Sequence, residues 1–147
     1  MNESSPRAVL NTLIESCKDA ERGLLRAAEL VTDPALKVLF ADTARKRAKF
    51  ASQLLPHAER LGGATTADGT TSATFHRKWM GVRSALSGRD DSAVVAEVRR
   101  GDNLTVLAFQ TAVEDALPAT VRDLVELGYA DVRASHLRFD ELQQVAQ

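Results

Sequence analysis

Aromatic side chains are scarce in this sequence, at 5% of residues. Strands draw heavily on aromatic and β-branched residues, so the scarcity speaks against a sandwich or barrel and for helices. Cysteine occurs once, at Cys17. No intramolecular disulfide can form, and a reducing cytoplasm is the expected compartment. No apolar run approaches the roughly 20 residues that span a bilayer. The opening stretch, Met1–Arg7, is polar and lacks the apolar core of a signal peptide. Charge of one sign is also lacking: the net charge is −1, which excludes a nucleic-acid binder acting through bulk electrostatics. Nucleophile-elbow motifs, phosphate-binding glycine loops and Cys-x-x-Cys pairs are absent, as are strand alternation and tandem repeats.

What is present is helical periodicity along 147 residues, a length suited to one domain covering 1–147. Ser4-Ser5-Pro6 supplies a Ser cap and a proline for a first helix. Its apolar stripe runs through Leu10, Leu13/Ile14, Cys17, Ala20, Leu24, Ala27 and Val31. Thr32-Asp33-Pro34 ends that helix and opens a second. The second stripe carries Leu36, Leu39/Phe40, Thr43/Ala44, Arg47, Phe50/Ala51, Leu54, Ala58 and Leu61. Pro56 removes one amide inside it, which predicts a kink or an early end near Leu55. Gly62-Gly63 is a plausible C-cap. A polar loop follows, then a short amphipathic helix over about 74–87 with Phe75, Trp79, Val82 and Leu86 on one face. Asp90 and Asp91 open another long helix, Leu117-Pro118 breaks it, and a last helix runs from about Ala119 to Val145.

The first-to-second and the last two long helices are joined so briefly that each pair must be antiparallel. The join over about 62–90 is long enough to cross the whole bundle and carries its own short helix. The third long helix then starts where the second began and runs parallel to it. The expected fold is therefore all-α: an antiparallel four-helix bundle with one long crossover, the connectivity of ferritin-like bundles.

Three stretches carry a resemblance. Leu10-Asn11-Thr12-Leu13-Ile14-Glu15-Ser16-Cys17-Lys18-Asp19, Phe75-His76-Arg77-Lys78-Trp79-Met80 and Tyr129-Ala130-Asp131-Val132-Arg133-Ala134-Ser135-His136 resemble a bacterial ferritin-like domain family of unknown function. The resemblance covers about residues 8–142. It implies a ferritin-like helical bundle and no particular activity.

Ferritin-like di-iron sites take a Glu from each of two helices and Glu-x-x-His from each of the other two. No Glu in this chain has His three residues later. Aligned by helix pattern, the first ligand position falls near Cys17, and the second-helix motif becomes Arg47-Ala48-Lys49-Phe50. The next Glu becomes Asp102, and the last motif becomes Arg133-Ala134-Ser135-His136. Only Asp102 and His136 keep chemistry suited to iron. An arginine in place of a carboxylate repels a metal ion and removes the charge that would neutralise it. No metal or cofactor is expected. Iron or zinc on Asp102 and His136 is the alternative.

A buried polar layer of Cys17, Arg47, Asp102, Arg133 and His136 is expected at the former metal position, with both arginines flanking Asp102. The competing reading is that Arg47 and Arg133 extend past their stems to solvent. Cys17 lies mid-stripe and reads as a small buried hydrophobe, since a reactive thiol needs a lowered pKa and access. His57 follows Pro56 and reads as surface. His76 starts the crossover helix, whose Trp79 and Phe75 read as anchors on the bundle's outside.

The second helix is basic, with Lys37, Arg45, Lys46, Arg47 and Lys49, and the last is richer in acid. Solvated faces are the ordinary meaning of such ridges. Self-association into a homodimer, basic ridge on acidic ridge, is the functional one. Three functions follow. The first is a non-enzymatic cytoplasmic bundle, structural or binding and stress-associated by analogy, with a degenerate metal site. The second is a di-metal protein with unusual ligands. The third is a nucleic-acid or protein-partner module using the basic helix.

Overall fold

Each long helix begins on a side chain that satisfies its first free amides. In a computed structural model, which describes residues 5–61 and 90–146 with side chains up to residue 143, Ser5 Oγ accepts the Ala8 N–H at 3.1 Å and Pro6 follows as the first residue of α1 (Pro6–Leu30). Asp33 accepts from Ala35 N at 2.9 Å and starts α2 (Pro34–Arg60). Asp90 accepts from Ala93 N at 2.9 Å and starts α3 (Asp91–Val113). The break at Leu117-Pro118 is as expected, and α4 runs over Ala119–Ala146. All described elements are helices.

α2 continues through Pro56 to Arg60, so the early end near Leu55 does not occur. Pro56 lies on the exposed side of α2, where the carbonyl it leaves unbonded is open to water. The Gly62-Gly63 cap, the short helix with Phe75, His76 and Trp79, and the crossover as far as residue 89 lie outside the described residues.

α1 packs on α2 and α3, and α4 packs on α3 and α2. The pairs α2/α3 and α1/α4 therefore occupy the diagonals of a four-helix bundle. Asp91, the first residue of α3, fixes direction. Its carboxylate accepts the Thr32 N–H at 2.9 Å, the Thr32 hydroxyl at 3.0 Å and the Asp33 N–H at 2.9 Å. α3 thus begins at the end of the bundle where α2 begins, and the two run parallel across the diagonal. Every neighbouring pair is antiparallel.

Those bonds, led by the Thr32 amide and helped by the charge of Lys37, hold the Asp91 carboxyl below its usual range. A depressed carboxylate stabilises the fold above its unfolded pKa and loses that contribution as the pH falls through its folded value. Asp91→Ala is therefore expected to lower the melting temperature by a few degrees at neutral pH. The difference from wild type should close as the pH drops below the carboxylate range, as read by circular dichroism melts across pH.

Burial divides the interior in two. One apolar cluster holds Leu10, Leu13, Ile14, Leu54, Phe109, Val121 and Val125. The other holds Leu24, Val31, Phe40, Val94, Val98 and Phe139. The change-over falls between Cys17 and Ala20 on α1, Ala44 and Ala51 on α2, Val98 and Ala108 on α3, and Val132 and Phe139 on α4. These four intervals lie at one level of the bundle. Among the described residues no helix is long and apolar enough to cross a membrane.

Candidate functional site

The level between the two clusters is polar. Arg47, on the apolar stripe of α2, is 0% exposed, and so is Asp102 on α3. Arg47 donates through Nη2 to Asp102 Oδ1 at 3.1 Å, straight across the bundle diagonal. Its Nη1 lies 3.7 Å from Asp131 Oδ2 of α4. The other oxygen of Asp102 is 3.4 Å from His136 Nδ1. His136 Nε2 approaches Asp140 at 4.0 Å, and Asp140 is paired with Arg99. Asp131 reaches the outside, where Lys46 Nζ is 3.8 Å away. One guanidinium thus sits between two carboxylates, and a chain of polar contacts runs through the bundle from α2 by way of α3 to α4.

α1 contributes Cys17. Its thiol is fully buried, and burial pushes its pKa up to about 12; Arg47 pulls the other way and Asp102 adds to the rise. The thiolate is the nucleophile and metal ligand, so a group held protonated this strongly is inert at physiological pH. Cys17 is expected to resist a disulfide-exchange reagent in the native protein at mildly alkaline pH, and to react at once in concentrated guanidinium chloride. Rapid modification of the folded chain would contradict this.

The structure brings Cys17, Arg47, Asp102 and His136 to one layer. Arg133 is not among them. It is exposed and lies over the ring of Tyr129, 5.5 Å from its centroid. The expectation of two arginines flanking Asp102 is corrected to one, and the solvent-directed reading holds for Arg133 but not for Arg47. The physical reason is angular. Arg133 follows the buried Val132 by one residue, which turns it about 100° away from the interior, on the side opposite α2. Asp131 precedes Val132, turns the other way and meets Arg47. Asp131 is therefore a member of the layer that the apolar stripe of α4 does not include. Its signal was an acidic residue bordering the α4 stripe at the level of a stripe arginine on α2. His57 is half-buried at the end of α2, next to Arg60, and takes no part in the layer.

The donor set does not suit a di-iron centre. Such a centre is neutralised by carboxylates on all four helices. Here α1 gives a protonated thiol and α2 gives a cation. Both layer carboxylates, Asp102 and Asp131, already face that cation. Arg47 Nε and Nη1 make no hydrogen bond among the described residues. Asp131 Oδ2, 3.7 Å from that guanidinium, makes none either, so a second cation in this space would meet one carboxylate oxygen beside an incompletely satisfied guanidinium.

A family model described as a domain of unknown function, DUF2383, matches residues 6–115. The chain belongs to the DUF2383 family. The match takes in α1, α2 and α3, and with them Cys17, Arg47 and Asp102 of the layer. Asp131 and His136 of this DUF2383 chain lie beyond it, on α4. No curated protein matches the chain.

Proposed function

We propose that this protein is a ferritin-like bundle in which an internal ion-pair layer stands where a dimetal centre would sit, and that it serves as a non-enzymatic structural or binding scaffold. The observation that carries the reading is the fully buried Arg47 paired with Asp102 at the change-over between two apolar clusters. The parallel diagonal pair α2/α3 supports the ferritin-like part, because a single crossover between the second and third long helices gives that arrangement. A buried ion pair adds little net stability, since desolvation of both charges offsets their attraction. Its stronger effect is on register: a half-turn slip of α2 against α3 would strand both charges in apolar surroundings. The layer then acts as a key that holds four helices at one level, which suits a scaffold presenting a fixed outer surface.

The test is anaerobic reconstitution with iron and with manganese, followed by elemental analysis of the desalted protein. Metal at background level is the expected result. Two metal ions retained per chain would overturn the reading in favour of a dimetal protein with unusual ligands.

A further inference from the structure

α2 and α4 are the neighbouring helices that approach each other least closely, and a groove opens between them. One part is a cavity of about 610 Å³ whose walls include Arg45, Lys46, Lys49 and Arg138 against Asp42 and Asp131. A second part, of about 310 Å³, shares Lys46, Lys49 and Asp131 and continues onto Phe50, Leu124 and Leu127. Volumes of this order are those of small-molecule sites.

The charges are not balanced within the groove. Arg45 is paired with Asp42, and Lys46 stands 3.8 Å from Asp131. Lys49 and Arg138 have no ion-pair partner among the described residues. Two positive charges remain, one on each wall. Because α2 and α4 are antiparallel and Lys46 is level with Asp131, Arg138 lies towards Leu39, while Lys49 lies towards Phe50. Beyond Lys49 the surface turns apolar. Leu127 is 65% exposed there, and Phe50 and Leu124 are half-buried beside it. A large apolar side chain so exposed next to two lysines is a surface that gains from being covered. Cations followed along one groove by an aromatic ring and two leucines match one kind of occupant.

We propose that the α2/α4 groove binds a single anionic amphiphile, a fatty-acid-like or alkyl-phosphate molecule, with its head group at Lys46 and Lys49 and its tail along Phe50, Leu124 and Leu127. At Lys49 the head group meets an ammonium with no ion-pair partner among the described residues, and at Lys46 it displaces the loose 3.8 Å pairing with Asp131. The tail removes exposed apolar area from water. A free inorganic anion gains only the first of these, and a cationic amphiphile is repelled at the head position. The occupant is a dissolved monomer, because the head and tail positions lie along the groove between two helices and not on a flat face. The groove shares Asp131 with the interior layer, but the residues that hold head group and tail do not include Arg47, Asp102 or His136.

The experiment is calorimetric titration of the 147-residue chain with dodecyl phosphate, kept below its micelle threshold. Binding of one molecule per chain is expected. Lys49→Glu should weaken it at least tenfold, and Leu127→Asp several-fold. Arg100→Glu, the same charge change on an exposed site of α3, should leave it within twofold. Circular dichroism melts of the variants, all at exposed positions, should overlay the wild type. Inorganic phosphate alone should bind at least a hundredfold more weakly, and decyltrimethylammonium should give no saturable binding. The proposal is overturned by absence of binding, or by uptake of many molecules per chain with equal affinity for the cationic amphiphile. Equal weakening in Arg100→Glu and Lys49→Glu would also overturn it, as would tighter binding to phosphatidylglycerol vesicles than to the monomeric probe.

Discussion

Asp102→Ala is expected to destabilise the fold by about 3–5 kcal/mol, the cost of leaving a buried charge without its partner. Arg47 is 0% exposed, and its shortest contact is to Asp102, at 3.1 Å. Asp131 remains after the substitution, but at 3.7 Å and 29% exposed it neutralises the guanidinium less completely. At this chain length a loss of that size lowers the melting temperature by on the order of 10 °C. Chemical denaturation should show the loss as a lower midpoint with an unchanged slope. A midpoint that hardly moves would mean that Arg47 escapes to solvent when Asp102 is removed. The paired replacement Arg47→Met with Asp102→Leu separates charge from packing. Removing both charges together is expected to be neutral or stabilising, by up to about 4 kcal/mol, because neither desolvation cost remains. The single and double variants should therefore differ in sign. If the layer acts as a register key, the double variant should keep its stability while giving broader amide resonances than wild type.

Phe109→Ala is expected to cost a similar amount, about 3–5 kcal/mol, for a different reason. Phe109 is fully buried and meets Phe50 edge-to-face, with centroids 6.1 Å apart and rings inclined at 71°. Its ring also rests on the backbone of Gly128: a methyl group there would lie 2.6 Å from the Phe109 ring carbon Cε1. Glycine within a helix costs about 1 kcal/mol relative to alanine. Gly128→Ala by itself should nevertheless be destabilising, because overpacking against an enclosed ring typically costs about 1–3 kcal/mol. In the Phe109→Ala background the 2.6 Å clash disappears and only the Phe50 ring, 3.2 Å away and no longer braced by Phe109, stays close, so Gly128→Ala should then cost much less than in the wild type. The two substitutions are coupled through one contact. An additive outcome in denaturant melts would show that Phe109 does not pack against α4 in this way.

The helices were readable in the sequence because their signals are local. Ser5-Pro6, Asp33-Pro34 and Asp90-Asp91 each place a capping oxygen ahead of an apolar stripe, and a cap acts within three residues of itself. The continuation of α2 through Pro56 has an equally local explanation. A proline on the outer face loses one helical bond but disturbs no packing, and the sequence pattern resumed after it through Ala58. Arg47 continues a stripe at helical spacing through Ala44 and Ala51, which placed it on or beside the apolar face and left open whether it turns inward or extends to solvent. His136 was legible by the same rule, whereas Asp102 was singled out by its place in the ferritin-like ligand pattern.

Arg133 and Asp131 mark where that rule ends. Each stands one residue from buried Val132, on opposite sides of the same stripe. The sequence gives both the same distance from the interior. Which of them enters the layer depends on which flank of α4 faces α2, and that is settled by the arrangement of four helices around an axis. The groove of Lys46, Lys49, Phe50 and Leu127 depends on the same arrangement, since the residues of its two walls stand more than 70 positions apart in the chain. By itself the sequence determined an all-α chain, its caps and stripes, and the presence of an arginine along one apolar stripe. Only the tertiary structure decided what that arginine faces. Helical periodicity records how far a side chain lies from the core, whereas the choice of partner is set by the direction from which the neighbouring helices approach.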